Sequence, residues 1–362
     1  MTRNRETAAP VLVLVVDDSA FMRAALSQMI GSEPGFEVAT AGSGTDALEK
    51  ISALNPDVIT LDVQMPGLGG LETLRRIMSQ FPRPVIMVSA TTEKDAIDTF
   101  DALAAGAFDC VPKQLSSSSL DISHIRSDLL LKIRAAARTR ILNSPASRSK
   151  KPSRPSALAT ESAKFDSTHA IVALGTSTGG PKALQEILPL FPRELSVPIV
   201  IVQHMPPGFT KPFAHRMNML CSVTVREATD GDAILPGVVY IAPSGWHTRV
   251  EKHSRSNARI CLDPHPGDSL HVPSIDVLMN SVAEEFGKLA IGVIMTGMGT
   301  DGAQGMKAIY RKGGLTIAQN EATCAVYGMP RACTSLGIVN RIAPLAEIPF
   351  EILRATRSRM RA

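Results

Sequence analysis

The chain has 362 residues, of which 44% are hydrophobic and 20% charged, and its formal net charge is +4. This length suits two or three domains, and the composition excludes a wholly disordered chain. Apolar runs such as 11–16 and 199–202 are too short to cross a bilayer, and the first ten residues lack the apolar core of a signal peptide, which predicts a cytoplasmic protein.

Strand and helix patterns alternate from residue 10 to residue 140. The run VLVLVV at 11–16 is continuously apolar, as expected for a strand that is buried on both faces. Helical stretches such as TDALEKISAL and GLETLRRIMSQF separate it from four further strands, which are FEVATA, VITLD, PVIMVSA and FDCVPK. The pattern predicts a five-stranded parallel sheet with helices on both faces, followed by a last helix from about residue 120.

Residues 141–168 are dominated by Ser, Pro, Ala and basic residues, which predicts a flexible linker that its prolines extend. A solvated spacer fits this stretch better than a basic contact with nucleic acid or a membrane. Alternation then resumes over 169–356, with strands IVALG, PIVIVQ, VTVREA, LAIGVIM and LTIAQ, strand-rich stretches VVYIAP, WHTRVEK and ARICLD, and a terminal helix over 345–356. We therefore predict a second, larger α/β domain that is doubly wound and mostly parallel.

Polar side chains stand at the carboxyl ends of the first domain's strands. Asp17 and Asp18 follow the first strand and Asp62 ends the third, so three carboxylates should meet where ligands gather in open parallel sheets. Such a cluster is costly without a hard cation, and Mg²⁺ suits it. Ser89 and Lys113 end the fourth and fifth strands and could bind phosphate oxygens. Each residue alone could be a helix cap or a surface charge, but five at matching strand ends favour phosphoryl chemistry.

This arrangement resembles the receiver domain of two-component response regulators over residues 10–140. The resemblance implies a flavodoxin-like fold and a histidine kinase that donates a phosphoryl group to Asp62. Ser89 and Lys113 would hold the phosphoryl oxygens. It also implies a set of magnesium ligands, which are Asp17, Asp18, Asp62 and the backbone carbonyl of Gln64.

The second domain carries a candidate nucleophile. IVALGTSTGGP places Ser177 on a Gly-rich turn between a strand and a helix, where small neighbours let an acyl group approach and helix amides favour an oxyanion. A phosphate-binding loop fits this turn equally well. His204 ends the next strand and Asp301 lies in a Gly-rich loop after a third strand. Together they could supply a nucleophile, a general base and the carboxylate that orients the base.

Six motifs, in order, resemble the catalytic domain of the CheB family of chemotaxis methylesterases over 169–356, and they are GTSTGGP, QHMPPGFT, APSGWH, HVPSIDVL, MTGMGTDGA and AQNEATCAVYGMP. The resemblance implies a serine hydrolase, activated by phosphorylation, that demethylates glutamate esters and deamidates glutamines on methyl-accepting chemotaxis receptors for sensory adaptation. It assigns Ser177 as nucleophile, His204 as base and Asp301 as its partner, with the Met298 and Thr178 backbone N–H groups as oxyanion donors. It implies no metal for hydrolysis, no nucleic acid, and contact with the membrane only through the receptors.

Four positions depart from the two family patterns. Cys110 stands where receivers carry Tyr or Phe, Gln114 replaces a Pro after Lys113, Ser244 replaces a Gly, and Val272 replaces an Arg that could touch an acidic receptor surface. Five further histidines are expected to be surface or structural residues, with His247 of most interest because it lies in a matching motif, and they are His215, His247, His253, His265 and His271.

Two other functions fit parts of the chain. The basic linker would permit a DNA-binding response regulator, but the second half has no helix-turn-helix signal. A dinucleotide-binding domain could use the Gly-rich turn at Ser177. That turn lacks the G-x-G-x-x-G pattern, and the following strand ends in Gln203 and His204 instead of an acidic ribose ligand.

Overall fold

The computed structural model of the chain describes residues 9–89, 93–113, 119–138, 170–254, 257–265 and 269–359. The linker predicted over 141–168 and the departure at Gln114 lie outside these residues, so the domain limits of 10–140 and 169–356 stay predictions.

The first domain has the predicted parallel sheet with helices on both faces. Its strands are β1 (Val11–Val16), β2 (Phe36–Ala41), β3 (Val58–Asp62), β4 (Val85–Ser89) and β5 (Asp109–Pro112), in the order β2-β1-β3-β4-β5. Its helices are α1 (Ala20–Gly31), α2 (Gly44–Leu54), α3 (Gly70–Gln80), α4 (Glu93–Ala104) and α5 (Ser119–Arg138). All the strand pairs are parallel, which confirms the fold predicted for this part.

Burial on both faces of the sheet explains the continuous apolar run of β1. Val13 and Val15 pack in a cluster with residues of α1 and α5, whereas Leu14 and Val16 pack in a second cluster with residues of α2, α3 and α4. Because successive strand residues point to opposite faces, a strand between two helical layers has no exposed side to carry polar residues. Its first polar residues come at its carboxyl end.

The second domain is built on a seven-stranded sheet whose pairs are all parallel. The strands are β6 (Ile171–Thr176), β7 (Ile199–Gln203), β8 (Thr224–Glu227), β9 (Val238–Ile241), β12 (Ala290–Ile294), β13 (Leu315–Gln319) and β14 (Arg341–Ala343), in the order β14-β13-β12-β6-β7-β9-β8. The helices are α6 (Gly180–Ile187), α7 (Thr210–Leu220), α8 (Ile275–Phe286), α9 (Ala303–Arg311), α10 (Met329–Ser335) and α11 (Ile348–Arg359). An antiparallel hairpin, β10 (His247–Ser254) and β11 (Asn257–Asp263), lies outside this sheet. The predicted doubly wound α/β fold is confirmed.

Two short elements near the end of the chain escaped prediction. Helix α10 has seven residues and β14 has three, too few for a helical or strand periodicity to show in the sequence. The predicted terminal helix begins at Ile348 instead of residue 345, because a 3₁₀ turn occupies Leu345–Glu347.

Strand β6 lies at the centre of the second sheet, between β7 and β12. The chain moves from β6 to β7 on one side and later reaches β12 on the other, so β6 borders a topological switch point, where a crevice opens at the carboxyl ends of the strands. Ser177 directly follows β6. Of the helices that the structure describes, none is both long and apolar enough to cross a membrane.

Candidate active site

Three strand ends bring Ser177, His204 and Asp301 together. Ser177 Oγ lies 3.2 Å from His204 Nδ1, and His204 Nε2 lies 2.9 Å from Asp301 Oδ2. An ionised carboxylate only accepts hydrogen bonds, so the network assigns the imidazole hydrogen to Nε2. Nδ1 then faces the serine hydroxyl with its lone pair, which is the arrangement that a general base needs.

The Asp301 carboxylate is fixed at the N-terminus of α8. It accepts hydrogen bonds from the N–H groups of Ile275 and Asp276, from its neighbour Gly302 and from the Ser274 hydroxyl, at 2.8–3.0 Å. Burial by itself would raise the pKa of Asp301. The His204 imidazole and the helix amides outweigh burial and lower the pKa to about 2. Asp301 is therefore ionised wherever His204 acts as a base.

The backbone around Ser177 is tightly packed. The Ser177 N–H donates to the Thr296 carbonyl at 3.0 Å. A Cβ at Gly297 would lie 2.8 Å from Ser177 Cβ, so the 297–298 peptide lies directly beside the candidate nucleophile. Both predicted oxyanion donors, the N–H groups of Met298 and Thr178, thus belong to backbone that adjoins Ser177.

Sequence reasoning missed three side chains that contact the candidate triad. Ser274 lies within the motif HVPSIDVL. Its position as an N-cap before an apolar run is the sequence signal that could have identified it. For Gln203 the sequence indicates only that an acidic ribose ligand is absent at this strand end. His271 was expected to be a surface or structural residue, and it is exposed, but its ring stacks on that of His204 with centroids 4.1 Å apart. His247 is buried, and its Nδ1 accepts the Ser274 N–H at 3.2 Å.

The first domain forms the predicted carboxylate cluster. Ligand oxygens of Asp17, Asp18 and Asp62 lie within 4.8 Å of one another. Lys113 Nζ lies 3.0 Å from Asp17 Oδ2 and 2.6 Å from Asp62 Oδ2. Burial raises the pKa of Asp62 above its ordinary value, the nearby Asp17 charge adds to this, and Lys113 opposes it. Three carboxylates this close supply the hard oxygen ligands that Mg²⁺ prefers, so the three aspartates fit the ion.

The other predicted receiver positions lie at the same edge. Ser89 is buried at the end of β4, opposite Pro112 of β5. The Gln64 N–H donates to Asp62 Oδ1 at 3.1 Å, which holds the chain after β3 close to the cluster.

The two domains meet over Ser177. Residues of β5 and α5 in the first domain and the loops after β6 and β7 in the second line an open pocket of about 390 Å³, and Ser177 and His204 are among its lining residues. Asp109 of β5 is buried and its Oδ2 accepts the Gly179 N–H, two residues after Ser177, at 3.1 Å. Burial raises the pKa of Asp109, whereas Lys132, with Nζ 3.6 Å from Oδ1, opposes this. A carboxylate of the first domain is thus bound to the turn that carries the candidate nucleophile.

Three of the family departures have visible contacts. Cys110 is buried beside this pocket, where burial raises the pKa of its thiol to about 12, so the thiol stays protonated. Ser244 donates its hydroxyl to the Met205 carbonyl at 2.7 Å and so fixes the loop that follows His204. Val272 is half-buried, and its carbonyl accepts the Gly245 N–H at 3.1 Å.

Known proteins resemble both parts of the chain. Residues 172–352 match the family described as CheB methylesterase, and residues 13–123 match the response regulator receiver domain. A protein-glutamate methylesterase/protein-glutamine glutaminase 2 of Nitratidesulfovibrio vulgaris is 44% identical, with 95% of this chain and 98% of that protein covered. A protein-glutamate methylesterase/protein-glutamine glutaminase of Pyrococcus horikoshii is 41% identical, with 95% and 93% covered. The crystal structure of the Thermotoga maritima CheB methylesterase catalytic domain has a TM-score of 0.51 and 38% identity, and the match covers 52% of this chain and 99% of that one.

Proposed function

The chain belongs to the CheB methylesterase family, as a protein-glutamate methylesterase and protein-glutamine glutaminase joined to a receiver domain, and we propose that it demethylates and deamidates methyl-accepting chemotaxis receptors when it is phosphorylated. Its products would be a glutamate side chain and either methanol, from an ester, or ammonia, from an amide. A histidine kinase of the chemotaxis system would be the phosphodonor, and sensory adaptation the outcome.

The proposed reaction passes through an acyl-enzyme. His204 Nδ1 takes the Ser177 hydroxyl proton while Oγ bonds to the glutamyl carbonyl carbon. The tetrahedral intermediate collapses, its C–O or C–N bond breaks, and the leaving group takes the proton from Nδ1 as methanol or ammonia. Water then attacks the acyl carbon, with Nδ1 again as base, and releases the glutamate carboxylate and Ser177. The 3.2 Å contact between Ser177 Oγ and His204 Nδ1 supports this route.

The negative charge of each tetrahedral intermediate needs fixed donors. We assign this role to the N–H groups of Met298 and Thr178, which belong to the loops after β12 and β6. Donors held by a folded backbone need no reorganisation when the charge develops, and losing one typically costs about 10²–10³-fold in rate. The packing of Gly297 against Ser177 supports the assignment.

For the receiver domain we propose Asp62 as phospho-acceptor. Asp17, Asp18, Asp62 and the Gln64 carbonyl would hold Mg²⁺, which when bound neutralises the carboxylates and the incoming phosphoryl oxygens. Lys113 and Ser89 would bind those oxygens from the neighbouring strand ends. Two observations support these roles: the carboxylate oxygens of the three aspartates lie within 4.8 Å of one another, and Lys113 contacts Asp62.

The contact between the domains supports a mechanism in which the receiver inhibits the esterase by covering Ser177. Because β5 and α5 line the pocket at Ser177 and Asp109 is bound to Gly179, the first domain would obstruct a receptor helix that approaches the serine. Phosphorylation would replace the Asp62 carboxylate with a phosphoryl group that carries a charge of about −1.5 to −2, and would shift the receiver towards a form that releases this contact.

The juxtaposition of Ser177, His204 and Asp301 carries the proposal, and methanol release from methylated receptor membranes tests it. Ser177→Ala should reduce the rate by about 10⁴-fold or more while circular dichroism and receptor binding stay unchanged, because the hydroxyl takes part in chemistry and little in packing. His204→Ala should be comparably severe. Ser222→Ala, the same change at an exposed serine, serves as control. A Ser177→Ala rate within about tenfold of wild type would contradict the assignment.

A further inference from the structure

The side chain of Gln203 lies between the two strands that carry Ser177 and His204. Strands β6 and β7 are paired up to Thr176 and Gln203, and the His204 N–H donates to the Thr176 carbonyl at 3.1 Å. Beyond this bond the two chains separate, because the Ser177 N–H donates to the Thr296 carbonyl beside β12. Backbone pairing between β6 and β7 therefore no longer sets the distance between the serine and the histidine.

The Gln203 carboxamide connects the two chains at this point. Its Nε2 lies 3.0 Å from the Ser177 carbonyl oxygen and 2.8 Å from the His204 carbonyl oxygen. Both partners are acceptors, so the bridge requires two N–H donors on one atom, which a carboxylate or a hydroxyl cannot supply. Gln203 is 1% exposed, so water does not compete for these bonds.

The packing allows one orientation of this amide. Exchanging Oε1 with Nε2 would set an oxygen against two carbonyl oxygens, and Oε1 has no partner among the residues that the structure describes. A Cβ at Gly180 would lie 2.0 Å from Oε1, so the carboxamide fills space that only a glycine leaves open. The Gly180 N–H also donates to the Ser177 carbonyl at 2.8 Å, which is thus held from two sides.

We infer that Gln203 is a positioning residue that sets the separation between Ser177 Oγ and His204 Nδ1. The inference rests on the proposed roles of Ser177 and His204. Without the bridge, the Ser177 and His204 carbonyl groups each lose a donor, and the loops after β6 and β7 can move apart. A misplacement of about 1 Å can reduce a rate by about 10²-fold. Because the change alters the alignment of reacting groups and leaves the outer substrate contacts in place, kcat should fall while KM holds.

Two variants of the full-length chain test the inference. Gln203→Glu keeps the shape of the side chain but supplies at most one hydrogen-bond donor, so it cannot bridge both carbonyl groups. Gln203→Met keeps the length of the side chain without polar hydrogens. The measurements are the rate at which a fluorophosphonate labels Ser177, read by mass spectrometry, and kcat and KM for methanol release. Labelling rate and kcat should each fall by about 10²-fold, with KM within about twofold of wild type. Gln304→Glu, the same change at an exposed residue of α9, should keep all three values within about twofold of wild type.

The outcomes separate this inference from the proposed function. Labelling within about threefold of wild type in folded Gln203 variants would overturn the positioning role, since a purely structural residue lowers the unfolding temperature without slowing each folded molecule. A wild-type chain that the probe does not label at Ser177, even with acetyl phosphate present to open the covered site, would instead overturn the proposed nucleophile. If neither variant folds, ¹⁵N-glutamine labelling of the wild type decides. Both Gln203 Nε2 protons should exchange with solvent more slowly than those of Gln304, and equally fast exchange would overturn the inference.

Discussion

The Asp301 carboxylate shows how a single residue is prepared for its proposed role. Two N–H groups at the N-terminus of α8 and the Ser274 hydroxyl hold it beside His204. A helix N-terminus favours an anion through its unpaired N–H groups, so the position both orients the carboxylate and keeps it ionised. It assists His204 without taking its proton, which makes its loss less severe than the loss of the nucleophile.

Asp301→Asn should therefore lower kcat for methanol release, but its kcat should stay about tenfold higher than that of Ser177→Ala. It should also change the pH dependence of stability. The pKa of Asp301 is about 2 in the folded chain against 3.8 ordinarily, so its contribution to stability is complete above pH 4 and is lost as the pH falls towards 2. Between pH 4 and pH 2, the free energy of unfolding measured in urea should fall by roughly 2 kcal/mol more for the wild type than for Asp301→Asn. An unchanged rate would remove Asp301 from the site, and parallel pH curves would contradict its lowered pKa.

At the scale of elements, α4 of the receiver domain packs against the start of α7. The Phe100 ring is fully buried, with its centroid 5.1 Å from that of Phe213 and 6.1 Å from that of Phe209. Asp101, next along α4, pairs with Arg216 of α7. The aromatic contact buries apolar surface of both domains. It should therefore contribute more than the half-exposed ion pair to the stability of the closed arrangement, in which the receiver covers Ser177.

Phe100→Ala should raise the esterase rate of the unphosphorylated chain, because it weakens the closed arrangement at a residue that both domains bury. Each 1.4 kcal/mol lost from that arrangement corresponds to about a tenfold shift between closed and open forms. Leu74→Ala, which opens a cavity in the receiver core under α3, should not raise the rate. Methanol release without phosphodonor is the measurement. Equal increases in both variants would show that receiver unfolding, and not loss of the α4–α7 contact, exposes the serine.

At the scale of the whole molecule, the contact between the domains is the route by which we propose that the receiver controls the esterase. Deleting residues 1–143 should raise the basal rate and abolish any response to acetyl phosphate. A tenfold stimulation needs a difference of only about 1.4 kcal/mol between covered and open states, well within what one phosphoryl group can supply. Asp62→Asn in the full chain should keep the low basal rate without the response. A 144–362 fragment no faster than the unphosphorylated chain would refute covering and indicate a receiver that activates the esterase or delivers it to the receptor.

The position of residues along strands was readable from the sequence. Asp17, Asp62, Ser177 and His204 each stand where an apolar run ends, and in a parallel sheet all such ends lie on one edge. That rule predicted which side chains would gather, and together with the motifs it led to the family. It required only the period of the apolar pattern and the parallel arrangement that strand–helix alternation implies.

The tertiary structure alone decided what those side chains contact. Gln203 bridges two carbonyl groups and Asp109 of the first domain binds the Gly179 amide of the second, although 70 residues separate that pair in sequence. Such contacts depend on distances of tenths of an ångström between elements far apart in the chain, and no local periodicity encodes them. The docking of the domains was equally beyond the sequence, because a linker limits how far two domains can separate but does not specify which faces meet.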